Sequence, residues 1–323
     1  MCTAISFKGN KHYFGRNLDL ERRFGEAVTI TPRNYRFSFK MEKELNRHYA
    51  IIGMATICDN YPLYFDATNE KGLSIAGLNF VGNSFLGDYV IGKINLAPYE
   101  LIPYLLGRYS SVCECVNALS DINLVDVLFN PQIQNSELHW ILADERECLV
   151  LEFMKDGLKI HSNPIGVLTN NPPFEYQLMN LNNYMSISNM EPQNHFSCKI
   201  KFDKYSRGMG GLGLPGDFSS TSRFVRASFA NLNSVIPQGE IETITQFFHV
   251  LGYVEQVEGC VLIGDKFERT QYSSCCNTND GIYYFKTYEN SQISAVNINN
   301  EDLERDELIS YELPYFQQIY NMN

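Results

Sequence analysis

The feature that most constrains this chain is a long succession of short apolar or alternating runs bounded by Gly, Asn, Asp and Pro. Runs of this kind are typical of strands joined by turns. They predict strands at Thr3–Phe7, Ala27–Thr31, Tyr49–Ile57, Leu63–Ala67, Leu73–Phe80, Leu138–Ala143, Cys148–Phe153, Gly157–His161, Gly166–Leu168, Gln271–Cys275, Ile282–Thr287 and Gln292–Ile298. Helical spacing of apolar residues predicts helices at about Pro98–Gly107, Ser111–Ser120, Thr221–Asn231 and Glu240–Leu251. Many antiparallel strands with separate helices predict an α+β fold.

Composition narrows the class of protein further. The 323 residues include 26 Lys and Arg against 37 Asp and Glu, a net charge of −11 that argues against binding nucleic acid or an anionic membrane. The chain has no apolar run long enough to cross a bilayer and no signal-peptide pattern, which predicts a cytoplasmic protein. No linker, repeat or charge block divides it, so we expect a single domain over 1–323.

The cysteines and the glycine-rich segment give little indication of a metal site or a nucleotide-binding site. The nine cysteines contain no Cys-x-x-Cys pair and the six histidines do not cluster near them, so we expect reduced thiols and no metal site. Gly208-x-Gly210-x-x-Gly213 matches a dinucleotide fingerprint, but no strand precedes it and Pro215 follows, which favours a long loop from about Pro192 to Gly216. His139 lies in a strand-like run beside Trp140 and is interpreted as a buried core histidine.

Cys2 is the residue of this sequence that most clearly indicates a catalytic site. Methionine aminopeptidase removes Met1 when the second residue is small, so we expect a mature chain that begins with Cys2. Such a residue holds a thiol together with a free α-amine, which titrates near neutral pH and can accept the thiol proton. Nucleophile and general base would then belong to one residue.

The residues after Cys2 support this interpretation. A turn follows the first strand, and a return strand ends in Phe14-Gly15-Arg16-Asn17-Leu18-Asp19-Leu20-Glu21. A hairpin of this length brings Arg16 and Asp19 beside residue 2. We expect Arg16 to stabilise the thiolate and Asp19 to hold the amine through a charge-assisted hydrogen bond.

An ordered set of short motifs runs along the whole chain. They are the Met1-Cys2-Thr3 opening, Gly15-Arg16-Asn17-Leu18-Asp19, Asn69-Glu70-Lys71-Gly72-Leu73, Ala76-Gly77-Leu78-Asn79-Phe80, Leu168-Thr169-Asn170-Asn171-Pro172, Leu214-Pro215-Gly216-Asp217 and Ser222-Arg223-Phe224-Val225-Arg226. In this order they resemble the choloylglycine hydrolase family, and within it the bile salt hydrolases of gut bacteria.

The resemblance implies an N-terminal nucleophile (Ntn) hydrolase fold, an αββα sandwich with two antiparallel sheets between helical layers. It also implies cleavage of the amide that joins a bile acid to glycine or taurine, without a cofactor or metal. Cys2 would be the nucleophile, and the motifs place Arg16, Asp19, Asn79, Asn170 and Arg223 in the same site. The side chain or N–H of Asn79 and the Asn170 amide would stabilise a tetrahedral oxyanion.

Substrate residues also come from the resemblance. Conjugated bile acids would be the substrates, and segments that match the family's pocket loops carry Leu18, Leu20, Phe24, Ile57, Phe65, Ile133 and Leu138. Core packing explains each of these apolar residues equally well. Ser206-Arg207-Gly208 resembles a selectivity loop associated with taurine conjugates, where Arg207 would face the head group. Relatives of this kind form homotetramers, and we expect the same here.

Other functions remain open at the level of sequence. Related penicillin V acylases share the expected machinery but often carry Tyr where this chain has Asn79, which favours bile salts. Acyl transfer, in which an amine replaces water in the second step, needs the same residues. A non-catalytic steroid-binding protein is a further alternative, but it would be expected to lack part of the site, and all six motif residues are present.

Overall fold

The computed structural model describes residues 1–323 and contains seventeen strands and five α-helices. The strands are β1 (Cys2–Lys8), β2 (His12–Leu20), β3 (Glu26–Thr31), β4 (Ile51–Cys58), β5 (Tyr61–Asn69), β6 (Ser74–Asn79), β7 (Ile94–Leu96), β8 (Ile122–Leu124), β9 (Leu138–Ala143), β10 (Cys148–Met154), β11 (Gly157–Ser162), β12 (Val167–Leu168), β13 (Val261–Ile263), β14 (Lys266–Asn277), β15 (Ile282–Thr287), β16 (Ser294–Asn297) and β17 (Ile309–Glu312). The helices are α1 (Leu101–Arg108), α2 (Val112–Leu119), α3 (Phe174–Leu181), α4 (Ser220–Asn233) and α5 (Glu240–Gly252). Every strand and helix predicted from the sequence is present.

Two antiparallel sheets dominate the architecture. Sheet I has the order β12-β1-β2-β14-β15-β16, with β13 paired to β14, and sheet II has the order β11-β10-β9-β6-β5-β4-β3-β17. The short strands β7 and β8 form a separate parallel pair. Because strand side chains alternate between faces, each sheet has an inner face toward the other sheet and an outer face toward helices.

The buried residues divide into three clusters that correspond to this layering. One cluster lies between the sheets and joins residues such as Cys2 and Phe14 of sheet I to Ile52 and Leu78 of sheet II. A second packs the outer face of sheet II against α1 and α2, and a third packs the outer face of sheet I against α5. Helix α4 contacts β1 and β12. The predicted αββα four-layer sandwich is therefore confirmed.

Two regions outside the sheets differ in how far the sequence predicts them. The segment predicted as a long loop from Pro192 to Gly216 contains only a single 3₁₀ turn at Met209–Gly211. Helix α3 was not predicted; it begins directly after Pro172-Pro173, just beyond the motif that carries Asn170. No helix is long and apolar enough to cross a membrane.

Candidate active site

The β1–β2 hairpin places the expected nucleophile beside its expected partners. Cys2 pairs with Leu18 and Ala4 pairs with Arg16 across the hairpin, so the Cys2 and Arg16 side chains share the inner face of sheet I. Gly15 allows β14 to approach closely, because a Cβ at this position would lie only 1.9 Å from the Ser274 carbonyl oxygen. The predicted juxtaposition of Cys2 and Arg16 is thus a consequence of strand register.

Arg16 is fully buried behind Cys2. Its Nη1 donates to the carbonyl oxygens of Phe65 at 3.0 Å and Gly77 at 2.6 Å, whereas Nη2 has no hydrogen-bond partner. Burial lowers the pKa of Arg16, but the negative groups around it, Cys2 first among them, hold that pKa above its ordinary value. The guanidinium therefore places a fixed positive charge next to the thiol.

Asp19 lies in the same buried region with a different set of contacts from those expected. Its Oδ1 accepts a hydrogen bond from Thr270 Oγ1 at 2.6 Å, and its Oδ2 lies 3.9 Å from Arg223 Nη1. Burial raises the pKa of Asp19 to about 6, although Arg223 opposes this shift. The carboxylate does not bond the chain's amine in this structure, because that amine belongs to Met1.

Met1 extends the hairpin by one residue. Its ammonium donates to the Asp19 carbonyl oxygen and to Glu268 Oε1, both at 2.6 Å, and its own carbonyl accepts from the Asp19 N–H at 2.9 Å. The Cys2 thiol beneath it is almost completely buried. With Met1 attached, the nitrogen of Cys2 is an amide that cannot act as a base.

Asn170 connects the Cys2 nitrogen to the rest of the site. Its Oδ1 accepts from Cys2 N at 2.7 Å and from Arg223 Nη2 at 2.8 Å, while its Nδ2 donates to the Asn79 carbonyl oxygen at 2.8 Å. Arg223 Nη1 also donates to the Cys2 carbonyl oxygen and to Thr3 Oγ1. These bonds bring together residues predicted from four separate motifs.

Asn79 ends β6 at the edge of this cluster. Its half-buried side-chain amide makes no hydrogen bond within the protein, and Leu138 lies opposite it on β9. The backbone carbonyl oxygen of Asn79 joins this residue to the Asn170 amide, and stabilisation of an oxyanion by its side-chain donors stays a prediction.

The predicted apolar pocket residues fall into different environments. Leu18 is buried in the core between the sheets, and Leu20 and Phe65 are partly buried against that core. The Phe24 ring is exposed and lies 6.4 Å from the Phe65 ring. Ile57 is exposed at the end of β4, Ile133 is half-buried in a turn closed by Asn130, and Leu138 packs beside Asn79.

Arg207 is the predicted residue that the structure leaves apart. It lies exposed in the long loop, and its side chain makes no hydrogen bond or ion pair with any catalytic candidate.

Three residues that contact the site were not predicted from the sequence. Glu268 accepts from the Met1 ammonium, Thr270 donates to Asp19, and the Ser220 hydroxyl accepts from Asn170 N. No spacing in the sequence could have indicated the first two, since they reach the site only because β14 pairs with β2. The chain holds no cluster of three or more His, Cys, Asp or Glu side chains that could bind a metal.

A four-layer αββα sandwich with a cysteine at the start of its first strand, surrounded by buried Arg, Asp and Asn side chains, is the arrangement of an Ntn hydrolase. The model of the linear amide C–N hydrolases, choloylglycine hydrolase family, matches residues 2–311. The chain belongs to this family and is a hydrolase that acts on linear amide bonds.

Individual relatives agree with this placement. The chain is 54% identical over 324 residues to a bile salt hydrolase/transferase of Lactiplantibacillus plantarum, with full coverage of both chains. A crystal structure of a C2A mutant of the conjugated bile acid hydrolase from Clostridium perfringens matches with a TM-score of 0.93 at 37% identity, again over both entire chains. Penicillin V acylase from Agrobacterium tumefaciens shares the fold, with a TM-score of 0.75 at 22% identity over 96% of this chain and 90% of that one.

Proposed function

We propose that this protein hydrolyses the amide bond of glycine- and taurine-conjugated bile acids, using Cys2 as nucleophile once Met1 has been removed. The observation that carries the proposal is the Cys2 nitrogen held by Asn170 Oδ1 at 2.7 Å, beside the buried Arg16. The 54% identical relative named bile salt hydrolase/transferase supports the choice of substrate.

The first half of the reaction forms a thioester. The Cys2 thiol gives its proton to its own α-amine, and Sγ attacks the amide carbon of the substrate. The carbonyl oxygen becomes an oxyanion, which the Asn79 amide at the end of β6 would stabilise. The C–N bond then breaks while the leaving nitrogen takes the proton from the Cys2 ammonium, releasing glycine or taurine.

Water completes the cycle. It gives a proton to the Cys2 amine and attacks the thioester carbon, after which the C–S bond breaks and the sulfur regains its proton. The products are the free bile acid and the original enzyme. Arg16 provides positive charge beside the sulfur in both half-reactions, and Arg223 fixes the backbone of Cys2 through its carbonyl oxygen.

The test couples processing to chemistry. The intact mass of the purified protein shows whether Met1 is absent, and incubation with taurocholate and glycocholate shows whether amino acid is released. We expect loss of Met1 and release from both substrates. The Cys2→Ala protein should release none while still binding bile salts. A mature Cys2 terminus that turns over phenoxymethylpenicillin and no bile salt would overturn the choice of substrate.

Acyl transfer is a second activity that one observation favours, since the 54% identical relative is named hydrolase/transferase. In that reaction an amino acid amine attacks the thioester in place of water. Incubating cholate conjugates with an excess of a different amino acid and analysing the products by mass should reveal the exchanged conjugate.

The proposal extends to head-group preference. We expect taurine conjugates to be favoured through Arg207, whose exposed guanidinium has no partner within the protein and is free to bind a sulfonate. Arg207→Ala should lower the ratio of taurocholate to glycocholate turnover, whereas Lys199→Ala, in the same exposed loop, should leave it unchanged. An unaltered ratio in the Arg207 variant would remove this residue from the explanation.

A further inference from the structure

His139 is a buried residue that the proposed mechanism does not use. It lies on β9, is inaccessible to solvent, and stacks on Phe80 with the ring centroids 4.2 Å apart and the planes nearly parallel. Phe80 directly follows Asn79. The histidine thus supports the end of β6 from which the Asn79 amide projects.

Both nitrogens of the His139 ring face acceptor oxygens. Nε2 lies 2.9 Å from the carbonyl oxygen of Thr169, and Nδ1 lies 3.2 Å from Glu152 Oε1. Since a carbonyl oxygen only accepts, Nε2 is the donor to Thr169, and Nδ1 faces the Glu152 carboxyl group. The pair is therefore attached to the residue just before Asn170, while the second Glu152 oxygen, Oε2, lies 3.4 Å from His161 Nε2 without a hydrogen bond.

Glu152 fixes the other side of the same segment. Its Oε1 also accepts from the Phe174 N–H at 2.9 Å, at the start of α3. The two side chains therefore hold the segment Thr169–Phe174 at both ends. Asn170 lies inside that segment, and its amide bridges the Cys2 nitrogen and the Asn79 carbonyl oxygen.

We propose that His139 and Glu152 are positioning residues that set the orientation of the Asn170 amide and of the Asn79 end of β6. The inference rests on the proposed function, in which those amide groups stabilise the oxyanion. Neither His139 nor Glu152 touches the substrate. Their loss should slow formation of the tetrahedral adduct without altering the intrinsic reactivity of the thiol.

Two substitutions of His139 separate the contacts. His139→Leu removes both hydrogen bonds, and we expect it to lower kcat about 100-fold, with KM changed less than about threefold. His139→Gln retains a donor that can reach the Thr169 carbonyl, and we expect it to lower kcat by only about tenfold. The alkylation rate of Cys2 by iodoacetamide, which forms no oxyanion, should stay within about threefold of the wild-type rate in both variants.

His48→Gln is the matched control. His48 is also buried with both ring nitrogens on backbone carbonyls, those of Tyr49 and Tyr35, but it lies outside the site. We expect it to alter thermal stability without changing kcat or the alkylation rate.

Several outcomes would overturn the inference. The inference fails if kcat of His139→Leu stays within threefold of the wild-type value. It also fails if turnover and alkylation fall in parallel, because that would indicate general disruption of the site. If His139→Leu does not fold, His139→Gln decides, because wild-type kcat in that variant would contradict the proposal. The wild-type protein distinguishes failure of this inference from failure of the proposed function. If the proposed function is wrong, the wild-type protein releases no amino acid from either conjugate. In that case, the same variants are compared with phenoxymethylpenicillin as the amide substrate.

Discussion

At the scale of single residues, the site depends on charges that are buried and balanced across the two sheets. Asp66 of sheet II accepts hydrogen bonds from Tyr272 Oη at 2.6 Å, Tyr283 Oη at 2.7 Å and Ser274 Oγ at 3.2 Å, all from sheet I. Burial raises the pKa of Asp66, while Arg16 and the three hydroxyls oppose this. The sequence motifs predicted Arg16 but not its counter-charge, because Asp66 reaches it only when the sheets face each other.

Asp66→Asn tests this balance. Removing a negative charge near Arg16 leaves the guanidinium field on Cys2 uncompensated, so the thiolate should form at lower pH. We expect the pH midpoint of Cys2 alkylation by iodoacetamide to fall by about one unit, and the free energy of unfolding to drop by about 3 kcal/mol. Tyr283→Phe removes one donor but keeps the carboxylate, and its alkylation midpoint should stay near the wild-type value. An unmoved midpoint in Asp66→Asn would mean that the carboxyl is already neutral in the wild type.

At the scale of elements, alternation and helical spacing were sufficient for the long strands and four of the helices. The elements that were missed are short or lack periodicity. Strands β7, β8 and β13 have three residues each, too few to show alternation, and α3 opens after two prolines and carries polar residues on much of its surface. The β14–β15 hairpin turns at Asn279-Asp280-Gly281, where Gly281 has a positive φ of 67°.

His12 at the start of β2, whose ring lies 3.0 Å from the Thr278 hydroxyl just after β14, makes the folded chain sensitive to acid. Burial lowers the pKa of His12 from 6.5 to about 4. The unfolded chain therefore binds a proton between these values that the folded chain does not, and stability is lost as pH falls from about 6.5 to about 4. The full effect is about 3 kcal/mol. Urea unfolding of His12→Gln should show a weaker pH dependence in this window than the wild-type protein, and equal slopes would contradict the assignment.

At the scale of the whole molecule, the two sheets share one inner core. Pairs such as β2 with β14 and β6 with β9 join strands far apart in sequence, which no local pattern could have predicted. Because Cys2 and Phe14 of one sheet pack against Ile52 and Leu78 of the other, neither sheet can bury its inner face alone. We propose that 1–323 unfolds as a single domain.

We expect the protein to form a homotetramer through the exposed surface of the long loop. Apolar side chains on and before this loop are strongly exposed: Phe196 is 85% and Tyr205 81% accessible, and Phe202 packs edge-on against Phe196. An exposed group of apolar side chains of this kind is typical of an interface between chains. We expect sedimentation velocity to show four 37.0 kDa chains in one particle. Replacing Phe196 and Phe202 by Ser should yield smaller species, since the patch would lose its largest apolar side chains. Ile241→Ser, on the exposed face of α5, should leave the assembly unchanged. A wild-type protein that sediments as a monomer would refute the assembly, and an intact tetramer in the double variant would exclude this patch as its interface.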